Sequence, residues 1–338
     1  MRNPCIEDLR TEHVRLARLE KRPHDWDLAI QAYKEKTLFH ESAWLDFVTS
    51  WRSDLSVDYF RIEDQRGVAG YFCTFRARKL NVSIWGCPFP GTGMYLGPLL
   101  RSDVDQKLLL SALIRYCAGE IGHLQMAIQK PDIESMIQAG FRVSRGWNFI
   151  CPLDHGEEAV WLRMRGTCRT RIRKAERDGL YAEITSDSAI VSQFYGQFVS
   201  VLRNKNISVP YALEKPAALF HHLQPANRLF AVRVFHCDRV VATGLFPNDD
   251  RAMYYWDGGY DSTFLHLSPN ELLHWTAIKA AIARGIPTFE IGGAPQPSRF
   301  VQKFGGALVP YVTAEKSFAP LFSMARSAYR HIRDRFQA

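Results

Sequence analysis

Two strand–turn–strand segments lie half a chain apart in this sequence of 338 residues, and any fold it adopts must hold both. In the first, Tyr59–Ile62 and Val68–Phe72 flank the polar stretch Glu63 to Gly67. In the second, Leu229–Val234 and Val240–Leu245 flank His236–Cys237–Asp238–Arg239. Tyr59 and Phe230 open matching strands 171 residues apart. Helical patterns run from Asp103 to about Gly119, Pro131 to Gly140, Ala189 to Arg203, onward to Leu223, and Pro269 to Arg284. Further strands are expected at His123–Gln129, from Phe141, at Tyr181–Thr185, Ala252–Trp256 and Thr288–Ile291. The opening 57 residues read as helical: Trp26, Ile30, Tyr33 and Thr37 keep helical spacing, and Ser42 caps a second helix. Strand pairs alternating with helices predict an α/β fold with mixed sheets, built twice.

Composition narrows the class. Hydrophobic residues at 46% and charged residues at 23% exclude a disordered chain, a collagen-like fibre and a coiled-coil rod. The first twenty residues mix charges at nearly every step, unlike a secretory signal, and no apolar run is long enough to span a membrane. Seven cysteines without a C-x-x-C pair predict free thiols in a reducing cytoplasm and no metal site. The net charge of +8 is unevenly placed: residues 1–160 carry −1 and residues 161–338 carry +9. Arg163–Arg177 holds seven basic residues and one acid, and Lys316–Ala338 five basic and one acid. Two local basic surfaces on a balanced protein suit a phosphate-bearing partner, not DNA.

The chemistry concentrates between Arg251 and Tyr311. A strand ends at Asp257–Gly258–Gly259, a loop follows, and Ser268–Pro269–Asn270–Glu271 forms a helix start: Ser268 as N-cap, Pro269 first in the helix, Glu271 placed for a capping box. Such a strand–loop–helix turns free backbone N–H groups toward the loop, where an anion is the natural occupant; an ordinary capped helix is the plainer alternative. Neither G-x-G-x-x-G nor G-x-x-x-x-G-K-[ST] occurs.

The basic Trp161–Gly179, Trp256–Asp257–Gly258, Ser268–Trp275, Ala277–Ile278, Gly285, Phe289–Gly293 and the closing Phe300–Tyr311 resemble, in this order, the GNAT-type acyltransferase domain of the Fem-like group. That group includes the FemABX peptidyltransferases and the acetyltransferases found beside cellulose and exopolysaccharide genes. The resemblance covers residues 161–311 well and the first half only as a degenerate second copy. It implies two tandem GNAT-like domains: a degenerate one over 1–160, an acyltransferase domain over 161–315, and a C-terminal helix over 316–338 that packs back on the first. It also implies that Ala252–Trp256 and Thr288–Ile291 splay to admit a thioester-bearing pantetheine arm. Simple GNAT enzymes carry a Gly-rich pyrophosphate loop, whereas Phe264–Ser268 has no glycine. The group divides between acyl-CoA and aminoacyl-tRNA donors.

Candidate residues follow from these two readings. Amide formation needs a proton acceptor and stabilisation of the oxyanion. Glu290, at a strand end before Gly292–Gly293, is the first candidate for the acceptor, with a salt bridge as the plain alternative. Asp257 is the second, otherwise a turn former. Lys303, in the closing motif, is placed by the resemblance near the donor or the developing charge. His266, Ser268, Asn270 and Phe304 are the candidates for holding acyl-CoA, a co-substrate rather than a bound cofactor. Arg169, Arg171, Arg173, Lys174 and Tyr255 are the candidates for the acceptor. His274, inside a helix beside Trp275, reads as packing. The basic helix nearly lacks acids for i, i+4 pairs, so a phosphate-bearing or lipid-linked substrate would relieve its self-repulsion. The expected function is a cytoplasmic N-acyltransferase acting on an amine of a sugar or cell-envelope precursor by direct attack. Alternatives are an aminoacyl-tRNA donor, a peripheral membrane contact through the C-terminal stripe, and a binding protein that has lost chemistry.

Overall fold

Both hairpins form, and each stands in its own unit. The computed structural model describes residues 14–79, 82–129, 131–293 and 300–319. The described elements begin β1 (Arg15–Leu19), α1 (Trp26–Gln31), a 3-10 helix (Leu38–His40), α2 (Ser42–Trp51), β2 (Ser56–Asp64), β3 (Gly67–Lys79) and β4 (Val82–Cys87). There follow β5 (Leu99–Leu100), α3 (Gln106–Glu120), β6 (His123–Ile128), α4 (Ile133–Gln138), β7 (Arg142–Pro152), α5 (Gly156–Arg163) and α6 (Gly166–Arg177). Then come β8 (Leu180–Thr185), α7 (Ala189–Asn204), α8 (Glu214–Leu223), β9 (Leu229–His236), β10 (Arg239–Pro247), β11 (Ala252–Tyr255) and β12 (Asp257–Tyr260). A 3-10 helix (Ser262–Leu267), α9 (Pro269–Ala283), β13 (Thr288–Gly293), a 3-10 helix (Val301–Phe304) and β14 (Ala307–Ser317) complete them.

One unit takes residues up to 36, 54–144 and from 312; the other takes 37–53 and 145–311. The division therefore differs from a cut at residue 160. Most of β7 goes with the second unit because Trp147–Pro152 pairs antiparallel with β13, and α2 goes there because it packs on α8. The division falls within β7 and β14.

In the first unit the strand order is β1-β2-β3-β4-β6-β14, with β4–β6 parallel and the other neighbours antiparallel. β1 corrects the helical reading of the opening segment. Its charged Arg15 and Arg18 pair with Glu63 and Asp58 across and beyond the edge of the sheet, so polar residues occupy a strand without helical periodicity. Asp58 is buried and accepts from Trp85 Nε1 at 3.0 Å and Arg18 at 2.9 Å. β14 corrects the C-terminal reading in part: Lys316 and Ser317 end a strand, and Phe318 N–H donates to the Gly122 carbonyl. The expected helix otherwise falls at residues 320–338, outside the described residues.

In the second unit one sheet runs β14-β7-β13-β11 and the other β12-β10-β9-β8. The β9–β10 hairpin turns on Cys237 and Asp238, both with positive φ, as a two-residue turn of right-handed strand twist requires. Its residues and those of α9 form one core with Phe289, Ile291 and Phe304. α7 lies against β12 so closely that a Cβ on Gly259 would sit 2.6 Å from Gln197 Cβ and 2.7 Å from the Phe198 nitrogen. No helix among the described residues is long and apolar enough to cross a membrane. Gly259→Ala is expected to force α7 off β12 and cost about 1–3 kcal/mol, read as a lower midpoint in chemical denaturation.

Candidate functional site

The chain changes sheets at Trp256. β11 pairs parallel with β13 from Ala252↔Thr288 to Tyr255↔Ile291, and β12 pairs antiparallel with β10 from Leu245↔Asp257 to Ala242↔Tyr260. The two strands expected to splay are thus paired along β11, and the opening begins one residue later. Beyond Ile291, β13 keeps β7 on one edge, through Gly292↔Asn148 and Gly293↔Trp147. On its other edge it has no strand partner among the described residues, and a Cβ on Gly292 would meet nothing within 4 Å.

Asp257 is the first residue past the switch, on a strand rather than in a turn. Its Oδ2 accepts from the Tyr211 hydroxyl at 2.5 Å. Burial raises its carboxyl to about 6, against the opposing pull of the Tyr211 hydrogen bond and the Lys215 charge. Burial and the neighbouring Asp257 charge push the Tyr211 and Tyr255 phenols up, so both stay protonated. Around them stand aromatic rings: the Lys215 Nζ lies 4.3 Å from the Trp51 ring centre, 4.9 Å from Tyr211 and 5.6 Å from Trp256. Trp51, Tyr211 and Lys215 escaped sequence reasoning because they are scattered over the chain. The one local signal was a lysine in the first turn of α8, the end where a helix disfavours a cation.

A second group surrounds the start of α9. Ser268 takes the N-cap position with φ 62° and makes no side-chain cap hydrogen bond, so the capping box does not form. Glu271 turns instead to Arg171 and Lys303, accepting from each at 2.9 Å. It is buried, and although burial raises its carboxyl the two cations outweigh that and hold it below its usual 4.5. Lys174 donates to the His266 carbonyl at 3.0 Å and pairs with Asp178 at 2.7 Å. Arg173 lies over the Trp161 ring, at 5.3 Å. The counter-charges that the basic helix lacks along its own sequence therefore come largely from outside it. Of these four substrate candidates, the side chains of half-buried Arg169 and exposed Arg173 make no hydrogen bond or ion pair among the described residues.

The loop before α9 uses its own donors. Asp261 accepts from the Thr263 N–H at 3.0 Å, the Phe264 N–H bonds to the Asp261 carbonyl, and the Ser268 N–H bonds to Leu265. His266 Nδ1 bonds the Thr263 carbonyl. Asn270 gives its carbonyl to His274 Nδ1 at 2.8 Å, so that nitrogen carries the proton. Burial pulls His274 down to about 4, and the neutral ring stacks on Phe304 at 5.2 Å. Phe304 is core. The glycines after it serve close approach: a Cβ on Gly305 (φ +79°) would lie 2.7 Å from the Arg163 carbonyl oxygen, and one on Gly306 2.5 Å from that of Ile150. Tyr255 packs beside His274 at 4.8 Å. Glu290 is buried, and Asn148 Nδ2 donates to its Oε2. The catalytic candidates thus fall in different settings: Asp257 with Tyr211, Lys303 with Glu271, Glu290 with Asn148. No cluster of three or more His, Cys, Asp or Glu side chains suited to a metal occurs among the described residues.

Glu271→Gln removes the carboxylate that two cations share, and is expected to cost about 1–3 kcal/mol at neutral pH, because half-buried Lys303 loses its charge partner. Since the folded carboxyl is held below 4.5, that contribution is full above the usual value and fades as pH falls through the folded one. Thermal unfolding of both proteins from pH 7 down to 3 should show the gap closing in acid.

Residues 163–299 match the family model for an acetyltransferase (GNAT) domain. No curated protein matches the sequence. Among solved structures, FemX aligns with a TM-score of 0.75 and 12% identity over 91% of this chain and 99% of its own. L-PGS from Bacillus licheniformis aligns with 0.54 and 12% over 86% and 90%. A tandem GNAT protein from the clavulanic acid biosynthesis pathway aligns with 0.51 and 10% over 91% and 99%. At these identities the likeness is one of fold, and it spans nearly the whole of each chain. The stretch that matches the acetyltransferase (GNAT) model, 163–299, includes the sheet switch, the start of α9 and β13.

Proposed function

We propose that the protein transfers an acyl group, an acetyl group in the simplest case, from acyl-CoA to an amine of a sugar or cell-envelope precursor. The observation that carries this reading is the place of Asp257, the first residue beyond the sheet switch, with its carboxylate held by the Tyr211 hydroxyl and raised by burial to about 6. Above that pH Asp257 is ionised and can take a proton, while Tyr211 fixes one of its oxygens. The neutral amine attacks the thioester carbonyl: the C–N bond forms, the C–S bond breaks, the amine's proton passes to Asp257, and the leaving thiolate is protonated from solvent. The edge of β13 at Gly292–Gly293, which has no strand partner among the described residues, offers backbone donors to the oxyanion.

Direct attack is favoured over an acyl-enzyme. Burial raises the Cys168 thiol to about 11 and Cys151 to about 12, so neither is a ready nucleophile. Glu290, with its carboxylate held by Asn148, is a positioning group in this reading. Arg169 and the outward Arg171 and Arg173 would meet a phosphate on the acceptor, free or lipid-linked. A cytoplasmic site of action, where acyl-CoA is made, goes with this donor.

One observation favours a second donor. The two places where a CoA pyrophosphate would meet the α9 end carry the chain's own carboxylates, Asp261 in the loop and Glu271 in the first turn. An aminoacyl-tRNA, whose phosphates would lie along α6, avoids that clash of charge. Thiol release from acetyl-CoA in the presence of amino sugars separates the two. Turnover supports the CoA reading, and none with acetyl-CoA but transfer from charged tRNA supports the second.

Asp257→Asn should lower kcat/KM by at least about a hundredfold. In the parent protein kcat/KM should rise with pH through about 6, as the raised carboxyl loses its proton, and that limb should vanish in the variant. Unchanged turnover in Asp257→Asn would remove Asp257 from the chemistry.

A further inference from the structure

Lys215 is placed against the usual rules. It lies in the first turn of α8, where the helix dipole opposes a cation, and is followed by Pro216. Its side chain is half-buried, and its ammonium makes no hydrogen bond or ion pair among the described residues. Three aromatic faces surround it instead: Trp51, Tyr211 and Trp256. This is how a protein holds an ammonium ligand, with ring quadrupoles replacing water around the charge.

The box is rigid and stands beside a carboxylate. Trp51 is backed by Phe47 at 6.3 Å, Tyr211 stacks on Phe198 at 5.0 Å, and Trp256 leans on Phe194 at 6.0 Å. Tyr211, one wall of the box, is the residue whose hydroxyl bonds Asp257. Asp257 attracts the Lys215 charge without reaching it as an ion pair, and Arg52, whose guanidinium carbon lies 5.6 Å from the Trp51 ring centre, repels it.

We infer that the Trp51–Tyr211–Trp256 box is the pocket for the acceptor's amine, and that the Lys215 ammonium is its resident place-holder, displaced when an acceptor amine enters. The acceptor is thereby a primary alkyl-type amine on a stem slim enough to pass between three rings. That the guest is the acceptor rests on the acyl-transfer reading; that the box takes an amine does not.

The test is a titration of n-butylammonium chloride at constant ionic strength, followed by tryptophan fluorescence. Lys215→Ala empties the box and should bind the probe at least about tenfold more tightly than the parent, an amount within reach of one cation held by several rings. Adding Trp256→Leu to that variant should abolish the gain, and n-butanol should not reproduce it. Equal affinity in parent and Lys215→Ala, or equal binding of n-butanol, would overturn the proposal. If Lys215→Ala does not keep the native circular dichroism, Lys215→Ser carries the same comparison. Thiol release from acetyl-CoA with n-butylamine is the separate arm. Tighter binding without any turnover would leave the amine box standing and count against the acyl-transfer reading.

Discussion

Between Tyr255 and Asp257 the backbone exchanges one sheet for another, and a strand has only two edges to offer. While β11 runs, β13 is covered on both sides; once the chain crosses to pair with β10, the last residues of β13 lose a neighbour. An opening in a sheet is costly unless its polar edge is used, and here the strand that leaves it carries, two residues past β11, a carboxyl that burial raises to about 6. The same crossing brings β12 under α7, which is why two glycines follow Asp257. A side chain on Gly259 would strike the α7 backbone, and one on Gly258 would lie 2.7 Å from the Tyr255 hydroxyl. α7 in turn supplies Phe194 and Phe198, which hold Trp256 and Tyr211 in place. The opening, the raised carboxyl of Asp257 and the rings around Lys215 are consequences of one change of partner.

Charge tells a different story from the one its quantity suggests. The basic α6 is answered by Glu271 and Asp178 and by backbone carbonyls, so most of its cations are already engaged. Glu271 is the centre of that arrangement, tying α6, α9 and the segment Val301–Phe304 through two hydrogen bonds to one oxygen. A carboxylate at the first turn of a helix is itself the stabilising anion that a ligand would otherwise provide. This is why the region reads from sequence as a phosphate site and is, in the structure, largely self-neutralised, with Arg169 and Arg173 the cations of α6 that have no carboxylate or hydrogen-bond partner among the described residues.

Local pattern carried much of the fold and little of the site. The two hairpins, α7, α9 and β13 fall close to where their apolar runs and the turn residues bounding them place them, although α9 and β9 are buried on more than one face. β1 was missed because an edge strand shows its charges, and the basic helix was drawn as one piece because its break at Met164–Arg165 has neither glycine nor proline. Asp257 was visible through the glycines after it, but its raised pKa comes from burial, which no spacing reveals. Trp51, Tyr211 and Lys215 meet only in three dimensions. The Phe304–Gly305–Gly306 motif looked chemical from sequence; its glycines are explained by contact with Arg163 and Ile150.

The most direct measurement is a crystal structure with a thioether analogue of acetyl-CoA, in which the reactive carbonyl is kept but cannot be transferred. The acyl end is expected in the opening between β12 and β13, with its oxygen on the backbone of Gly292 or Gly293 and Asp257 beside it. An analogue bound with its acyl end elsewhere, the β13 edge left empty, would contradict the assignment of acyl transfer to the sheet switch at Trp256.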